Sequence, residues 1–196
     1  AFDRREADWW QAGGRWIEHG GIACAMASNW VSLDATDGAG LLCLKDPVPP
    51  DVQIAFGVEE FSTWYGWDRH PSHEHHPYDN VRVVLSTGES LALDQGYRLE
   101  VNADNRRATI LFRDGKEVAR VAQDGRFPIR YQGGHSPYSP RRNRLSLLKR
   151  GGQLAVTING QEVLIFEDPV PLPVTRAAIG GFHTHINFSY VEVRPL

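Results

Sequence analysis

Four of the eight histidines of this chain lie in one short segment, residues 64–80, where they are mixed with aromatic rings and carboxylates. Imidazole titrates near neutral pH and is the commonest protein ligand for metals. Exposed indole rings suit the flat faces of sugars and bases. This segment is therefore the first candidate for a functional site.

Metal binding is one chemistry that the segment offers. His73, His75 and Asp79 together supply three ligands for zinc, manganese or another divalent transition metal ion. Their spacing is not the H-E-x-x-H of a zinc-binding helix, and Pro71 and Pro77 confine the segment to a loop or a strand edge. Three interpretations stay open: a metal or catalytic site, a ligand-contacting loop without metal, and a solvated loop.

The aromatic residues of the same segment point to sugars. Trp64, Trp67 and Tyr78 lie among Gly, Ser, Asp and His residues, in surroundings too polar to bury every ring. We predict that they bind ligand as a stacking platform for carbohydrate, with ordinary surface positions as the alternative.

A second irregular segment, residues 131–144, carries rings, arginines and one histidine. Tyr138 and His135 are its candidate ligand-binding residues. The segment forms either the opposite lip of a groove or a plain connecting loop.

Near the carboxyl end, His183, His185 and Asn187 alternate with apolar residues. On one continuous strand, residues two apart share a face, so these side chains would point together towards a cleft or solvent. They form the wall of a polar site, or they are simply exposed surface residues.

Two similar stretches of sequence predict the elements that position these residues. Residues 97–118 and 143–163 both alternate apolar with polar side chains, as strands with one buried face do. Each contains a pair suited to a type I′ hairpin, Asp114-Gly115 and Asn159-Gly160, because both central positions need positive φ. Each stretch is predicted to form two or three strands.

Alternating runs elsewhere extend this pattern, and they occupy residues 40–45, 52–58, 81–86 and 186–193. Residues 4–11 are the one plausible short helix. The spacing predicts an all-β fold, a two-sheet antiparallel β-sandwich of the jelly-roll kind rather than a closed barrel. Proline-rich runs at residues 47–50 and 169–173 should mark crossings between the sheets or covered edges, since proline lacks the donor of a β-ladder.

Composition limits the classes of function. With 196 residues and 41% hydrophobic content, residues 1–196 are predicted to form a single domain. A net charge of −3 with scattered basic residues excludes nucleic acid as a partner. No apolar run approaches the roughly 18 residues of a membrane span. We expect a periplasmic or extracellular protein whose signal segment is not in this chain.

Several catalytic motifs are absent from the sequence. There is no paired-carboxylate strand of a retaining glucanase, no Gly-x-Ser-x-Gly elbow, no phosphate loop and no dinucleotide fingerprint. Cys24 and Cys43 have no adjacent base, which disfavours thiol catalysis. They form one disulfide, or they are two buried free thiols.

A family resemblance spans nearly the whole chain. Its opening carries Phe2-Asp3, Trp9, residues 14–16, residues 19–21, residues 40–45 and residues 51–56, and its later part carries residues 143–147, 159–161 and 179–194. In these positions the chain resembles the concanavalin A-like sandwich domains. Within that superfamily it is most similar to the 3-keto-disaccharide hydrolase-like domains.

The resemblance implies a sugar bound on the concave face of one sheet, and cleavage of a glycoside already oxidised at carbon 3. A ketone at C3 acidifies the proton at C2, so a base with a pKa near neutrality removes it and expels the group at C1. His183, His185 and His75 are the candidate catalytic bases, and a divalent metal ion would stabilise the enediolate oxygen. The alternative is a noncatalytic, lectin-like carbohydrate-binding module.

Overall fold

A computed structural model describes residues 9–12, 15–19, 30–34, 39–58, 80–88, 93–124, 126–129, 143–182 and 185–196. The strands in these residues are β1 (Trp9–Ala12), β2 (Arg15–His19), β3 (Trp30–Asp34), β4 (Ala39–Leu44), β5 (Val52–Val58), β6 (Asn80–Ser86), β7 (Gly96–Asn102), β8 (Ala108–Arg113), β9 (Lys116–Ala122), β10 (Asn143–Arg150), β11 (Gln153–Ile158), β12 (Gln161–Glu167), β13 (Arg176–Phe182) and β14 (His185–Pro195). One short helix, α1 (Ala103–Arg106), follows β7.

The strands form two antiparallel sheets that pack face to face. Sheet A has the order β1-β4-β13-β6-β7-β8-β9, and sheet B has the order β12-β11-β10-β5-β14-β3-β2. Neighbours in space are often distant in sequence, as in a jelly roll. The predicted all-β, two-sheet antiparallel sandwich is confirmed.

The core lies between the two sheets. Alternate residues of the central strands point inward, and large side chains such as Phe56, Leu99, Leu145 and Phe188 are almost fully buried. Burial of each such side chain contributes about 1.5–3 kcal/mol. This shared core fixes which face of each strand is turned outward.

The two similar stretches of sequence have matching structures. The first forms the meander β7-β8-β9 at one edge of sheet A, and the second forms the meander β10-β11-β12 at one edge of sheet B. Asp114 and Gly115 have φ of 47° and 74°, and Asn159 and Gly160 have φ of 53° and 83°. Both hairpin turns are therefore as predicted.

Both proline-rich runs cross between the sheets, as predicted. Residues 47–50 join β4 in sheet A to β5 in sheet B, and residues 169–173 join β12 in sheet B to β13 in sheet A. The two crossings are hydrogen-bonded, because the amide of Val48 donates to the carbonyl of Thr175 at 2.9 Å.

The structure corrects two predictions. Trp9–Ala12 is a strand, so the helix predicted over residues 4–11 is wrong at its carboxyl end. Phe182 and His185 do not share a strand either, since β13 ends at Phe182 in sheet A and β14 begins at His185 in sheet B, while His183 lies outside the described residues. Alternation assigns residues to one face only along a continuous strand, and here the chain changes sheets within two residues. No helix of the described residues is long and apolar enough to cross a membrane.

Candidate functional site

The segments that carry the predicted site residues are joined to the described strands at one end of the sandwich. We call this end the loop end. In sheet B, Val58 pairs with both Asn143 and Phe188, and in sheet A Asn80 pairs with Phe182. Only two residues separate Phe182 from His185, so those ends of the two sheets lie within about 11 Å of each other. Segments 59–79, 130–142 and 183–184 therefore all begin or end here.

Most of the predicted site residues lie outside the described residues: His73, His75, Asp79, Trp64, Trp67, Tyr78, His135, Tyr138 and His183. The backbones of His185 and Asn187 are described. They lie on β14, in register with Asp34 and Ser32 of β3. The roles assigned to all of these residues stay predictions.

The described residues nearest to those segments contain a charged group that the sequence analysis missed. It consists of Asn80, Arg82, Arg98 and Glu100, which we call the Glu100 cluster. Arg82 is in register with Glu100 across β6 and β7, and both point away from the core. The cluster therefore lies on the outer face of sheet A, and Asn80 places it at the loop end.

Glu100 is the centre of the cluster. Its Oε1 lies 2.9 Å from Arg82 Nη2 and 3.0 Å from Arg98 Nε. Its Oε2 accepts a hydrogen bond of 3.1 Å from Asn80 Nδ2. Arg98 Nη1 also donates to the carbonyl of Leu93 at 3.0 Å. One carboxylate thus fixes the positions of three other polar side chains.

Two aromatic rings complete the arrangement. The guanidinium carbon of Arg82 lies 4.4 Å from the ring centroid of Phe182, and that of Arg98 lies 4.3 Å from the ring centroid of Phe112. Both distances are within the range of cation–π attraction, which reaches about 2 kcal/mol where water is excluded. Each guanidinium is therefore held by a carboxylate and by a ring.

The cluster is buried, which is unusual for charged groups on the outer face of a sheet. Asn80, Arg82 and Glu100 are 6%, 9% and 7% exposed. Burial lowers the pKa of Arg82, Glu100 opposes that shift, and Arg98 adds to it. Buried charges are costly unless they are paired, so the sequence maintains this network at a cost to stability.

Three polar atoms of the cluster have no hydrogen-bond partner, namely Asn80 Oδ1, Arg82 Nε and Arg98 Nε, and of these Arg98 Nε is in ion-pair contact with Glu100 Oε1. Nearly all buried polar groups in native proteins are satisfied, so such atoms mark a place for a ligand or ordered water. Sequence reasoning missed the cluster because charged residues that alternate with apolar ones on a strand normally face solvent.

The opposite end of the sandwich is closed by a network that holds the second crossing in place. Tyr97 Oη and Arg113 Nε donate to Asp168 Oδ2 at 2.5 Å and 2.7 Å. The amide of Leu172 donates to Tyr97 Oη at 3.0 Å. Lys149, also buried, donates to the carbonyls of Pro50 and Gly151. Every partner belongs to the chain itself, so we assign this network a structural role.

Metal and thiol chemistry are not evident in the described part of the chain. No group of three His, Cys, Asp or Glu side chains there is placed to hold a metal ion. Cys43 is a free, fully buried thiol, and burial raises its pKa to about 12, so it is unreactive near neutral pH. Cys24 lies outside the described residues.

Comparisons with known proteins identify the fold. No protein-family model and no curated protein sequence matches this chain. Among solved structures, the carbohydrate binding module CBM66 from Bacillus subtilis has a TM-score of 0.63 at 11% identity, with 95% of each chain covered. The Emp46p carbohydrate recognition domain, in a metal-free form, has a TM-score of 0.62 at 12% identity, with 98% of this chain and 91% of that chain covered.

Two further structures agree. The VIP36 exoplasmic/lumenal domain, in a Ca²⁺- and mannose-bound form, has a TM-score of 0.57 at 12% identity and covers 92% of this chain and 83% of its own. A Bacillus subtilis protein of unknown function with a galectin-like fold has a TM-score of 0.60 at 14% identity, with 96% and 90% covered. At such low identity the likeness concerns architecture alone, and the architecture of this chain is the concanavalin A-like β-sandwich.

Proposed function

We propose that this chain is an extracytoplasmic carbohydrate-binding domain, with its ligand at the loop end of sheet A. The observation that carries the proposal is the Glu100 cluster. Its polar side chains and the ring of Phe182 are held in fixed positions, and Asn80 Oδ1 and Arg82 Nε are buried without a hydrogen-bond partner. Sugar recognition needs this combination, because a pyranose presents hydroxyl groups at its rim and C–H groups on its faces.

The chemistry of each group fits that role. Arg82 offers a fixed, planar donor, and Asn80 offers an acceptor. Phe182 is half-buried and lies at the end of its strand, opposite Asn80, where segment 59–79 joins sheet A. Trp64, Trp67 and Tyr78 of that segment would supply the stacking platform, with Tyr138 and His135 on the opposite lip.

The names of the structural neighbours support the same ligand class. One is a carbohydrate binding module, one a carbohydrate recognition domain, and one carries mannose with Ca²⁺. The exoplasmic or lumenal location of the mannose-bound domain agrees with an extracytoplasmic location for this chain.

A glycan array followed by calorimetry tests the proposal. The full chain should bind at least one class of oligosaccharide, and Trp64→Ala with Trp67→Ala should weaken that binding by about tenfold or more, since tenfold corresponds to about 1.4 kcal/mol and the stacking of a base on one aromatic side chain already contributes about 1–3 kcal/mol. Arg194→Gln, an exposed change on sheet B, is the control and should bind normally. A chain that binds no glycan contradicts the proposal.

A second candidate function is cleavage of 3-keto-glycosides. One observation favours it: His183 directly follows Phe182, whose ring contacts Arg82 of the cluster. A histidine base there would remove the C2 proton of a bound 3-keto-sugar, expel the group at C1 and allow water to add. His185 and His75 would contribute to the same site, and Asn187 would bind the substrate.

This second function has a direct test. Release of the aglycone from an aryl 3-keto-glucoside should be abolished by His183→Ala with His185→Ala, while binding of the sugar stays within about twofold of the unaltered chain. Absence of turnover by the unaltered chain discards the enzyme and leaves the binding module. If a divalent metal ion assists, His73, His75 and Asp79 are the proposed ligands, and stoichiometric metal in the purified protein would support that version.

A further inference from the structure

The charges of the Glu100 cluster do not balance. Arg82 and Arg98 bring two positive charges, and among the described residues Glu100 is the one carboxylate paired with them. The cluster is nine-tenths buried at Asn80, Arg82 and Glu100, so solvent screens the excess positive charge poorly. A buried site with one surplus positive charge favours an anion.

The free polar atoms specify where an anion would bind. Both oxygens of Glu100 are already engaged, Oε1 by the two arginines and Oε2 by Asn80. Arg82 Nε remains as a donor without an acceptor, and Asn80 Oδ1 as an acceptor without a donor. Arg82 and Asn80 contact the same carboxylate through their other polar atoms, so both unpartnered atoms belong to side chains that flank Glu100.

We infer that the sugar recognised here is acidic, with its carboxylate on Arg82 and a neighbouring hydroxyl group donating to Asn80 Oδ1. A uronic acid residue presents both groups on adjacent carbon atoms. A neutral sugar satisfies the two hydrogen bonds but leaves the surplus charge unpaired. This inference rests on the proposed carbohydrate-binding function and narrows its ligand class.

Calorimetry with matched pairs of oligosaccharides tests the inference on the full chain. The pairs are oligogalacturonate with its methyl ester, and oligoglucuronate with its carboxyl-reduced counterpart, so that the two members of each pair differ only at the carboxyl group. For at least one pair, the acid should bind about tenfold more tightly than its neutral partner, as expected for a hydrogen bond to a charged group in a buried site.

Variants locate the effect. Arg82→Gln and Arg98→Gln each remove the surplus charge and should each abolish the preference for the acid. Arg98 has the more exposed side chain, at 17%, so it decides the test if Arg82→Gln does not fold by circular dichroism. Arg194→Gln makes the same chemical change on the exposed face of sheet B and should leave the preference intact.

Each outcome has a distinct meaning. Equal binding of acidic and neutral partners overturns the inference and leaves the proposed function standing. A preference for the acid that survives in Arg98→Gln also overturns it. Failure to bind any member of any pair, while other neutral glycans bind, overturns the inference alone, and failure to bind every glycan overturns the proposed function with it.

Discussion

Asn80 and Phe182 lie directly opposite each other at the ends of two paired strands, β6 and β13. The chain enters β6 from residue 79 and leaves β13 for residue 183. The two histidine-bearing segments that the sequence singled out are therefore attached to sheet A at neighbouring points. Asn80 also donates to Glu100, so the same points border the Glu100 cluster.

The first prediction concerns the ring of Phe182. Phe182→Ala removes the surface on which the Arg82 guanidinium rests, and we expect glycan affinity to fall by about tenfold in calorimetry. Phe112→Ala is the matched control, because Phe112 bears the same relation to Arg98 but lies farther from the loop end. Equal losses in both variants would contradict a site centred on Arg82.

The second prediction concerns the contribution of Glu100 to the free energy of unfolding. Glu100→Gln leaves the buried guanidinium of Arg82 and the partly buried one of Arg98 without the one counter-charge that the described residues give them, so the free energy of unfolding should fall by about 2–4 kcal/mol in urea titrations. Glu192→Gln breaks an exposed ion pair with Arg194 and should change stability by less than about 0.5 kcal/mol. An unchanged unfolding midpoint for Glu100→Gln would mean that the cluster is not buried in solution.

These residues show what a sequence reveals and what it leaves open. Val81, Val83 and Leu85 alternate with other residues, which is enough to predict β6 and its core-facing side. The turns at Asp114 and Asn159 were equally predictable, because local backbone geometry decides them. The contact between Arg82 and Glu100 was not predictable, because it depends on the register between β6 and β7. The alternation of apolar and polar residues along each strand does not specify that register.

The division of residues 176–195 between two sheets illustrates the same limit. An alternating pattern from Phe182 to Phe188 is compatible with one strand or with two, because both sheets line the same core. The change of sheet between Phe182 and His185 is set by tertiary packing. The face predicted for His183 relative to His185 was therefore not determined by the sequence pattern.

The third prediction concerns acid stability. Burial opposes ionisation of Asp168, but hydrogen bonds from Tyr97, Arg113 and the amide of Val170 hold its pKa below the ordinary value of 3.8. Ionised Asp168 therefore stabilises the fold above about pH 4, and this contribution is lost as the pH falls through the lower folded pKa. In Asp168→Asn, stability at pH 7 should fall by about 2–4 kcal/mol and the loss below pH 4 should become shallower.

Unfolding by urea at several pH values checks this. Asp124→Asn is a suitable control, because Asp124 is exposed and its carboxylate accepts only from the nearby amide of Arg126 among the hydrogen bonds of the described residues. An acid limb of unchanged slope in Asp168→Asn would show that other carboxylates govern acid unfolding.

The fourth prediction concerns alkaline stability and the hydroxyl of Tyr97. Burial, together with the hydrogen bond to Asp168, raises the pKa of Tyr97 from 10.0 to about 12. The unfolded chain releases this proton near pH 10 and the folded chain retains it, so stability should decline as the pH rises from about 10 towards 12.

Tyr97→Phe removes the proton and should flatten this decline, at the cost of about 1–2 kcal/mol at pH 7 from the lost hydrogen bonds to Asp168 and Leu172. The absorbance of ionised tyrosine measured on the folded chain, with Tyr97→Phe as the difference, gives the pKa directly, and a value near 10 would contradict the buried network at this end of the sandwich.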